Sequence, residues 1–435
     1  MKIKTKNVIS LFLLLLSSFL IYIILNFNIE SSIYYFFLIL LITLSILFSS
    51  DFKFLTANSL FTFFFLYTVG LGPIVLLNKN IILNYNYFSV ICGGLLAFAW
   101  GNFISNNLKK YEFKKDSTSI FRFNISRKYI LVLLYLISIV ATFIYIYINK
   151  QYLFGGNINS GRINAMSGSG ILLYTLQLPI LIIPMMYDLY FYGKKNNDKI
   201  VSRNVLFLMT IISSVLLLFT GFRAPLVTLY ICLAIVIIEK NNISNRKIVI
   251  FGIFMILLVE SLGIVRTNLS GNNIKISDFI NTLSTSLYVN CLNLKYIFNT
   301  FPSSVPYQHG YTYLINFLML LPGPDLDFTL WLKEQLNISF SGGGVTPTIL
   351  GEIFINFGPS SIYIGMFFLS FIGNVITKYF YQYKKNFLGS FYVWQFAHCA
   401  SGGIANVIIL VILYTLIYWI LMMFPLSKRK DIKYE

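Results

Sequence analysis

Residues 8–25 read VISLFLLLLSSFLIYIIL, eighteen positions without a charge. A helix needs about 20 mostly apolar residues to cross ~30 Å of hydrocarbon, so a run of this kind is long enough to span a membrane. Lys2, Lys4 and Lys6 precede it, as basic residues precede the core of a signal peptide. The run is long for such a core and no small-x-small cleavage site follows it, so it is expected to be a first, retained span. Comparable runs recur at 33–49, 54–77, 87–105, 129–149, 170–192, 204–220, 224–238, 248–265, 351–376, 387–403 and 404–424. The expectation is an all-α polytopic membrane protein of about twelve transmembrane helices. The weakest run is 387–403, which holds Gln395 and His398. The runs 204–220 and 224–238 are short, with the tight turn Thr220-Gly221-Phe222-Arg223 between them.

Composition agrees. Of 435 residues, 57% are hydrophobic and 11% charged, under half the roughly 25% charged residues of soluble domains. With 42 Phe and 30 Tyr, a water-soluble fold would expose more apolar surface than soluble monomers tolerate. An ordinary cytoplasmic enzyme, a disordered chain and a small disulfide scaffold are excluded. Cys92, Cys232, Cys291 and Cys399 are far apart, show no CxxC spacing and read as small apolar filler.

The net charge of +18 is not a nucleic-acid footprint, because the basic residues sit in short clusters between apolar runs, as cytoplasmic loops do. With the N-terminus inside, 25 of the 33 Lys and Arg fall on the cytoplasmic side and 8 on the other. That bias predicts that both termini are cytoplasmic and the span count even. It also requires the weak run 387–403 to cross, or the basic tail would lie outside.

Three regions follow. Residues 1–265 form a bundle of about nine spans, 266–350 a large outer, extracytoplasmic loop, and 351–435 the last spans with a cytoplasmic tail. Within the loop, Ile280, Leu283, Leu287, Cys291, Leu294 and Phe298 recur at helical spacing, which predicts an amphipathic helix over 278–298. Residues 311–321 are apolar but too short to span, and Pro322-Gly323-Pro324 stops them. No internal repeat is visible, which argues against an inverted-repeat transporter.

Candidate chemistry gathers on the predicted outer face. Arg162, Arg223 and Arg266 are the three arginines there, each beside a membrane end. Guanidinium grips phosphate oxygens bidentately, and two neighbouring helix N-termini would add to the attraction. The plainer alternative is that these arginines are interfacial anchors. His309, in Pro306-Tyr307-Gln308-His309-Gly310-Tyr311, is placed to act as a base; the alternative is a loop histidine with no role. His398 reads as a structural interhelical hydrogen bond or a cavity-facing side chain. Glu260 is an intramembrane carboxylate and so a candidate by default, whether as a group of its own or as an orienter of Arg223 or Arg266. Glu352 opens the run 351–376, with Asn356 one turn on. Asp325 and Asp327 are a weak metal signal. The chain has no His/Cys cluster of metal spacing, no P-loop and no GxGxxG, so neither a resident metal nor a nucleotide cofactor is expected.

One block resembles a known family. From His309 the chain reads HGYTYLINFLMLLPGPDL, then WLKEQ, then GGGVTPTILGEIFINFG up to Gly358. A Gly-Tyr opening, an apolar stretch ending in Pro, an acidic stretch and a small-residue run into Leu-Gly-Glu and Asn-Phe-Gly resemble the Wzy-type O-antigen and oligosaccharide repeat-unit polymerases. Thr220-Gly221-Phe222-Arg223 and Val265-Arg266 are similar to that family as well. The resemblance covers about 150 residues from Thr220 on. Some members carry arginine followed by glycine eleven positions later in two outer loops; here those positions are Leu173 and Ser277, so the roles of that motif do not transfer.

The resemblance implies a GT-C-like membrane glycosyltransferase of the bacterial inner membrane. It would move a growing glycan from undecaprenyl pyrophosphate onto a new lipid-linked repeat unit, with membrane lipids around it and a chain-length regulator as a partner. Related ligases use outer-face arginines for the pyrophosphate and an outer-loop histidine as base, without metal. Carried to this chain, Arg162, Arg223 and Arg266 would hold the leaving pyrophosphate. His309, or alternatively Glu352 or a loop aspartate, would take the acceptor proton. Tyr307, Tyr311, Tyr313 and Trp331 are candidates to stack on sugar rings. An O-antigen ligase is the nearest alternative. A lipid-linked oligosaccharide flippase also has about twelve spans, but would show two similar halves and short loops. A dolichol-phosphate-type transferase would want a carboxylate pair in the first outer loop, which offers Glu30 alone.

Overall fold

Apolar side chains on all sides of a helix suit a solvent that is itself apolar, and the backbone must then satisfy its own hydrogen bonds. The computed structural model describes residues 5–27, 32–79, 85–108, 126–154, 165, 169–195, 200–220, 223–241, 243–268, 276–318, 327–340, 343–382 and 387–425, and among these it is all-helical. Among the described residues, eight helices are long and apolar enough to cross a membrane: α1 (Thr5–Phe27), α2 (Ser32–Ser49), α3 (Ala57–Asn78), α4 (Tyr85–Asn107), α5 (Arg127–Ile148), α6 (Gly170–Lys194), α14 (Pro359–Gln382) and α16 (Ala405–Met422). The other four expected runs are also helices: α7 (Arg203–Phe219), α8 (Arg223–Lys240), α9 (Asn245–Asn268) and α15 (Phe387–Gly402). The segment between α9 and α14 holds α10 (Ile276–Thr300), α11 (Thr312–Leu318), α12 (Phe328–Gln335) and α13 (Thr348–Phe357).

The lipid face is visible on α1, where Phe12, Leu15, Phe19 and Tyr22 form one exposed apolar stripe at helical spacing. At the opposite extreme, α15 is buried along nearly its whole length. Protein packs around it on every side, so Ser390 and Gln395 are tolerated there. This explains why 387–403 reads weakly as a span: it faces neighbouring helices rather than lipid. The His398 ring stacks on Trp394, one turn earlier in the same helix, with centroids 5.9 Å apart. Helix α3 contains a π-helical turn over Leu66–Gly70, in which Leu71 N–H reaches back to the Leu66 carbonyl at 2.9 Å. Pro73, with no N–H to offer, follows directly. Buried amides act as glue between spans. Asn58 donates to Asn102 Oδ1 at 2.7 Å, and Asn102 donates to Ser49 at 2.6 Å.

The segments that the charge pattern placed on one side gather at one end of the bundle. Lys6 pairs with Asp51 at 3.1 Å, Asn7 donates to Asn107 at 2.6 Å, and Asn245 donates to the Phe52 carbonyl at 3.3 Å. Lys240 pairs with Asp188 at 2.8 Å, whose other oxygen accepts from the Phe387 N–H. Arg127 donates to the carbonyls of Leu421 and Phe424, each at 3.0 Å, and so caps the C-terminus of α16. We call this the basic end.

One boundary differs. The run 351–376 is not a single span opened by Glu352. It is divided at Gly358, whose φ of +82° ends α13 and lets Pro359 begin α14. A side chain at Gly358 would begin 3.1 Å from the Tyr307 ring. A hydropathy average over the run passes through this break, although Gly358-Pro359-Ser360-Ser361 is a turn signal.

Candidate functional site

Helix α13 decides the arrangement. It has ten residues, about 15 Å of helix, and Thr348 to Asn356 are all buried. It lies at the end of the bundle opposite the basic end, since α15 runs from Phe387 at the basic end to Gly402 beside it. A helix leaves its last carbonyls without partners. Here a strap formed by residues 308–310 supplies donors: Gln308 N–H to the Ile355 carbonyl at 2.9 Å, and His309 N–H to the Asn356 carbonyl at 3.1 Å. Gly310 N–H then reaches Asn356 Oδ1 at 2.8 Å. The Asn356 amide donates in turn to Thr312 Oγ1 at 2.6 Å and to the Glu352 carbonyl at 2.9 Å. The strap is strained, with φ of +48° at His309 and +94° at Gly310. Its side chains are mostly outward: His309 and Tyr311 are exposed.

Glu352 points the other way. Its carboxylate is fully buried and accepts the backbone N–H groups of Ile404 and of Ala405, the latter at 3.0 Å. These are orphan donors at the start of α16, where a carboxylate also meets the favourable end of the helix dipole. Gly403 makes room for it with φ of +75°; a side chain there would overlap Glu352 Oε2. Burial pushes the Glu352 carboxyl up to about 8, while the two N–H bonds pull it down. Asn316 completes the joint. It donates to the Ala405 carbonyl and to Asn406 Oδ1, both at 3.1 Å, and accepts from Phe328 N–H at 2.8 Å. Thr312, Asn316, Glu352 and Asn356 thus form one buried polar joint between α11, α12, α13 and α16.

Beside the strap, an apolar groove of about 280 Å³ runs along α14. Its walls include Ile353 and Phe357 of α13 and Ile364, Phe368 and Ile372 of α14, with Tyr313 at its edge. Gly310 of the strap is within 3.9 Å of Phe357 and Tyr313 as measured from where a side chain would begin. A strained polar strap bearing an exposed histidine therefore adjoins a hydrocarbon-lined groove open at the surface of a spanning helix.

The family profile described as "Putative O-antigen polymerase" matches residues 10–418, nearly the whole chain. The chain belongs to the O-antigen polymerase family. It is also 27% identical over 239 residues to an uncharacterized protein of Methanocaldococcus jannaschii, a match that covers 53% of this chain and 62% of that protein's length. No solved structure matches the chain.

The remaining candidates of this O-antigen polymerase family member fall as follows. Arg223 begins α8, and α8 ends with Lys240 at the basic end. Arg266 lies in the last turn of α9, which starts with Asn245 at the basic end. The two helix directions place both arginines at the end that carries His309. The side chains of Arg223, Arg266 and Glu260 lie outside the described residues, as do Arg162 and Asp325 altogether. Asp327 is the N-cap of α12, accepting from Thr329 N–H at 2.6 Å and Leu330 N–H at 3.1 Å. Among the described residues, no three His, Cys, Asp or Glu side chains group as metal ligands would. Trp331 stacks on Phe328 with centroids 5.9 Å apart. Helix α10 forms as expected, but its apolar face is buried against protein: Cys291 lies over Gly72 of α3 and Leu294 over Gly351 of α13. Sequence reasoning passed over Thr312 and Asn316. Their one signal was polarity inside the apolar stretch 311–321.

Proposed function

We propose that this chain is a polymerase of undecaprenyl-pyrophosphate-linked oligosaccharide repeat units. The observation that carries the reading is an exposed His309 on a strained strap beside an apolar groove, at the end of the bundle where Arg223 and Arg266 lie. That end is extracytoplasmic and both termini are cytoplasmic, a reading supported by the excess of Lys and Arg at the other end.

The reaction is a single inverting displacement. A hydroxyl of the acceptor repeat unit attacks the anomeric carbon of the donor glycan, and the bond from that carbon to the pyrophosphate oxygen breaks. His309 accepts the hydroxyl proton. Arg162, Arg223 and Arg266 neutralise the charge that develops on the departing undecaprenyl pyrophosphate. The groove along α14 shelters part of a polyisoprenoid chain. Glu352 keeps α16 and the strap in place; its fully buried carboxyl, occupied by two N–H donors, is out of reach of an acceptor hydroxyl, whereas the imidazole of His309 is exposed.

The test is polymerisation by purified protein in nanodiscs supplied with lipid-linked repeat units. A ladder of products is expected, with His309→Ala lowering turnover by about 10²–10⁴-fold and leaving substrate binding nearly intact. Transfer to a lipid A core acceptor without ladder growth would make the protein a ligase. Translocation without glycosidic bond formation would make it a flippase.

A further inference from the structure

We propose that Asn356 is a positioning residue for His309, an inference that rests on the polymerase reading above. The imidazole is exposed, so packing does not aim it; the backbone does. Both peptide planes that flank His309 are held by Asn356. The N–H of His309 itself donates to the Asn356 carbonyl at 3.1 Å, and the next N–H, that of Gly310, donates to Asn356 Oδ1 at 2.8 Å. Bonds on both sides of one Cα fix the direction of its Cβ.

The direction so fixed is not one the chain would choose. A non-glycine residue with positive φ costs free energy and persists where its surroundings over-determine it. His309 has φ of +48° and Gly310 follows with +94°. Left alone, the strap would relax to negative φ and swing the imidazole away.

The position also needs an amide. One face must accept from Gly310 N–H, while the other must donate to Thr312 Oγ1 at 2.6 Å and to the Glu352 carbonyl at 2.9 Å. A carboxylate could accept but not donate, and an aliphatic side chain could do neither. Asn356 has no solvent exposure, so water does not replace a lost partner. Its second anchor, the Glu352 carbonyl, belongs to the residue that caps α16. The aim of His309 is thereby referred to the rigid body of the bundle rather than to a loop.

The experiment is a double-mutant cycle on full-length protein in nanodiscs with lipid-linked repeat units, measuring kcat and KM for Asn356→Ala, His309→Ala and the pair. A misplacement of about 1 Å costs on the order of 10²-fold in turnover, so Asn356→Ala should lower kcat by about that factor with KM little changed. In the His309→Ala background it should cost almost nothing more, because nothing is left to aim. Thr312→Val, which removes one partner of the Asn356 amide at nearly equal volume, should lower kcat less and also lose its effect without His309. It carries the test should Asn356→Ala not fold. Equal losses in both backgrounds would make Asn356 merely structural, and a kcat above half of wild type would dismiss it. If wild type polymerises but His309→Ala is as fast, the base assignment fails and this inference with it. If wild type forms no polymer, the functional reading fails first.

Discussion

Gly403→Ala offers a demanding test of the joint at the head of α16. Gly403 has φ of +75°, and a Cβ there would lie 2.3 Å from Glu352 Oε2 and 3.3 Å from Pro347 Cγ. Two costs follow. The left-handed backbone costs a non-glycine residue about 1–2 kcal/mol. The new methyl also pushes the carboxyl away from the N–H groups of Ile404 and Ala405, and a buried N–H left without a partner costs about 1–3 kcal/mol. Glu352 cannot step aside into water, since it is buried. The sum is about 3–8 kcal/mol, or a fall in Tm on the order of 3–9 °C for a chain of this size. The assay is thermal unfolding in detergent micelles at one fixed scan rate, with Gly252→Ala as the control. Gly252 lies inside α9 with nothing within 4 Å of its would-be side chain. That substitution should be neutral or stabilise by up to about 1 kcal/mol. A Gly403→Ala protein melting within about 2 °C of wild type would refute the reasoning, as would an equal fall in the control.

Other consequences are open to measurement. If Arg223 and Arg266 hold pyrophosphate through a planar fork, Arg223→Lys and Arg266→Lys should each weaken both binding of undecaprenyl pyrophosphate and turnover by roughly ten- to a hundredfold; silence in both would make them interfacial anchors. Cysteine introduced at Ser303 should react with an impermeant thiol reagent added to intact cells, and cysteine at Ser117 should not. The four native cysteines are buried and can remain; the reverse labelling pattern would invert the topology. Burial raises the Glu352 carboxyl from 4.5 to about 8, so the folded state binds that proton more tightly than the unfolded chain does. Its contribution to stability should be complete below about pH 4.5 and decline by up to about 1.4 kcal/mol per pH unit as pH rises towards 8. Glu352→Gln should flatten that slope, and an unchanged slope would place the titrating group elsewhere.

The spans were legible in the linear chain because a lipid solvent imposes a length and a composition on any helix that crosses it. α1, α2 and α16 satisfy both so fully that their reading needs no neighbours. The loops were legible for a related reason: charges stay out of hydrocarbon, so Lys and Arg mark the segments between spans. The family, too, was carried by local order, in the block from His309 to Gly358.

Tertiary structure alone decided how the candidate site is built. α15 looked doubtful because hydropathy measures fitness for lipid, and this helix is surrounded by protein. Gly358-Pro359 is a turn signal, yet a hydropathy average runs through it, and only the fold shows the left-handed glycine that divides α13 from α14. Glu352 read as an acid opening a span and an alternative base until its partners, the N–H groups of Ile404 and Ala405, were placed 52 and 53 residues along the chain. Asn356 meets Gly310 from 46 residues away. Contacts of that range follow from how helices pack, and a backbone N–H looks the same at every position in a sequence. Which one needs a partner depends on where the chain has folded it.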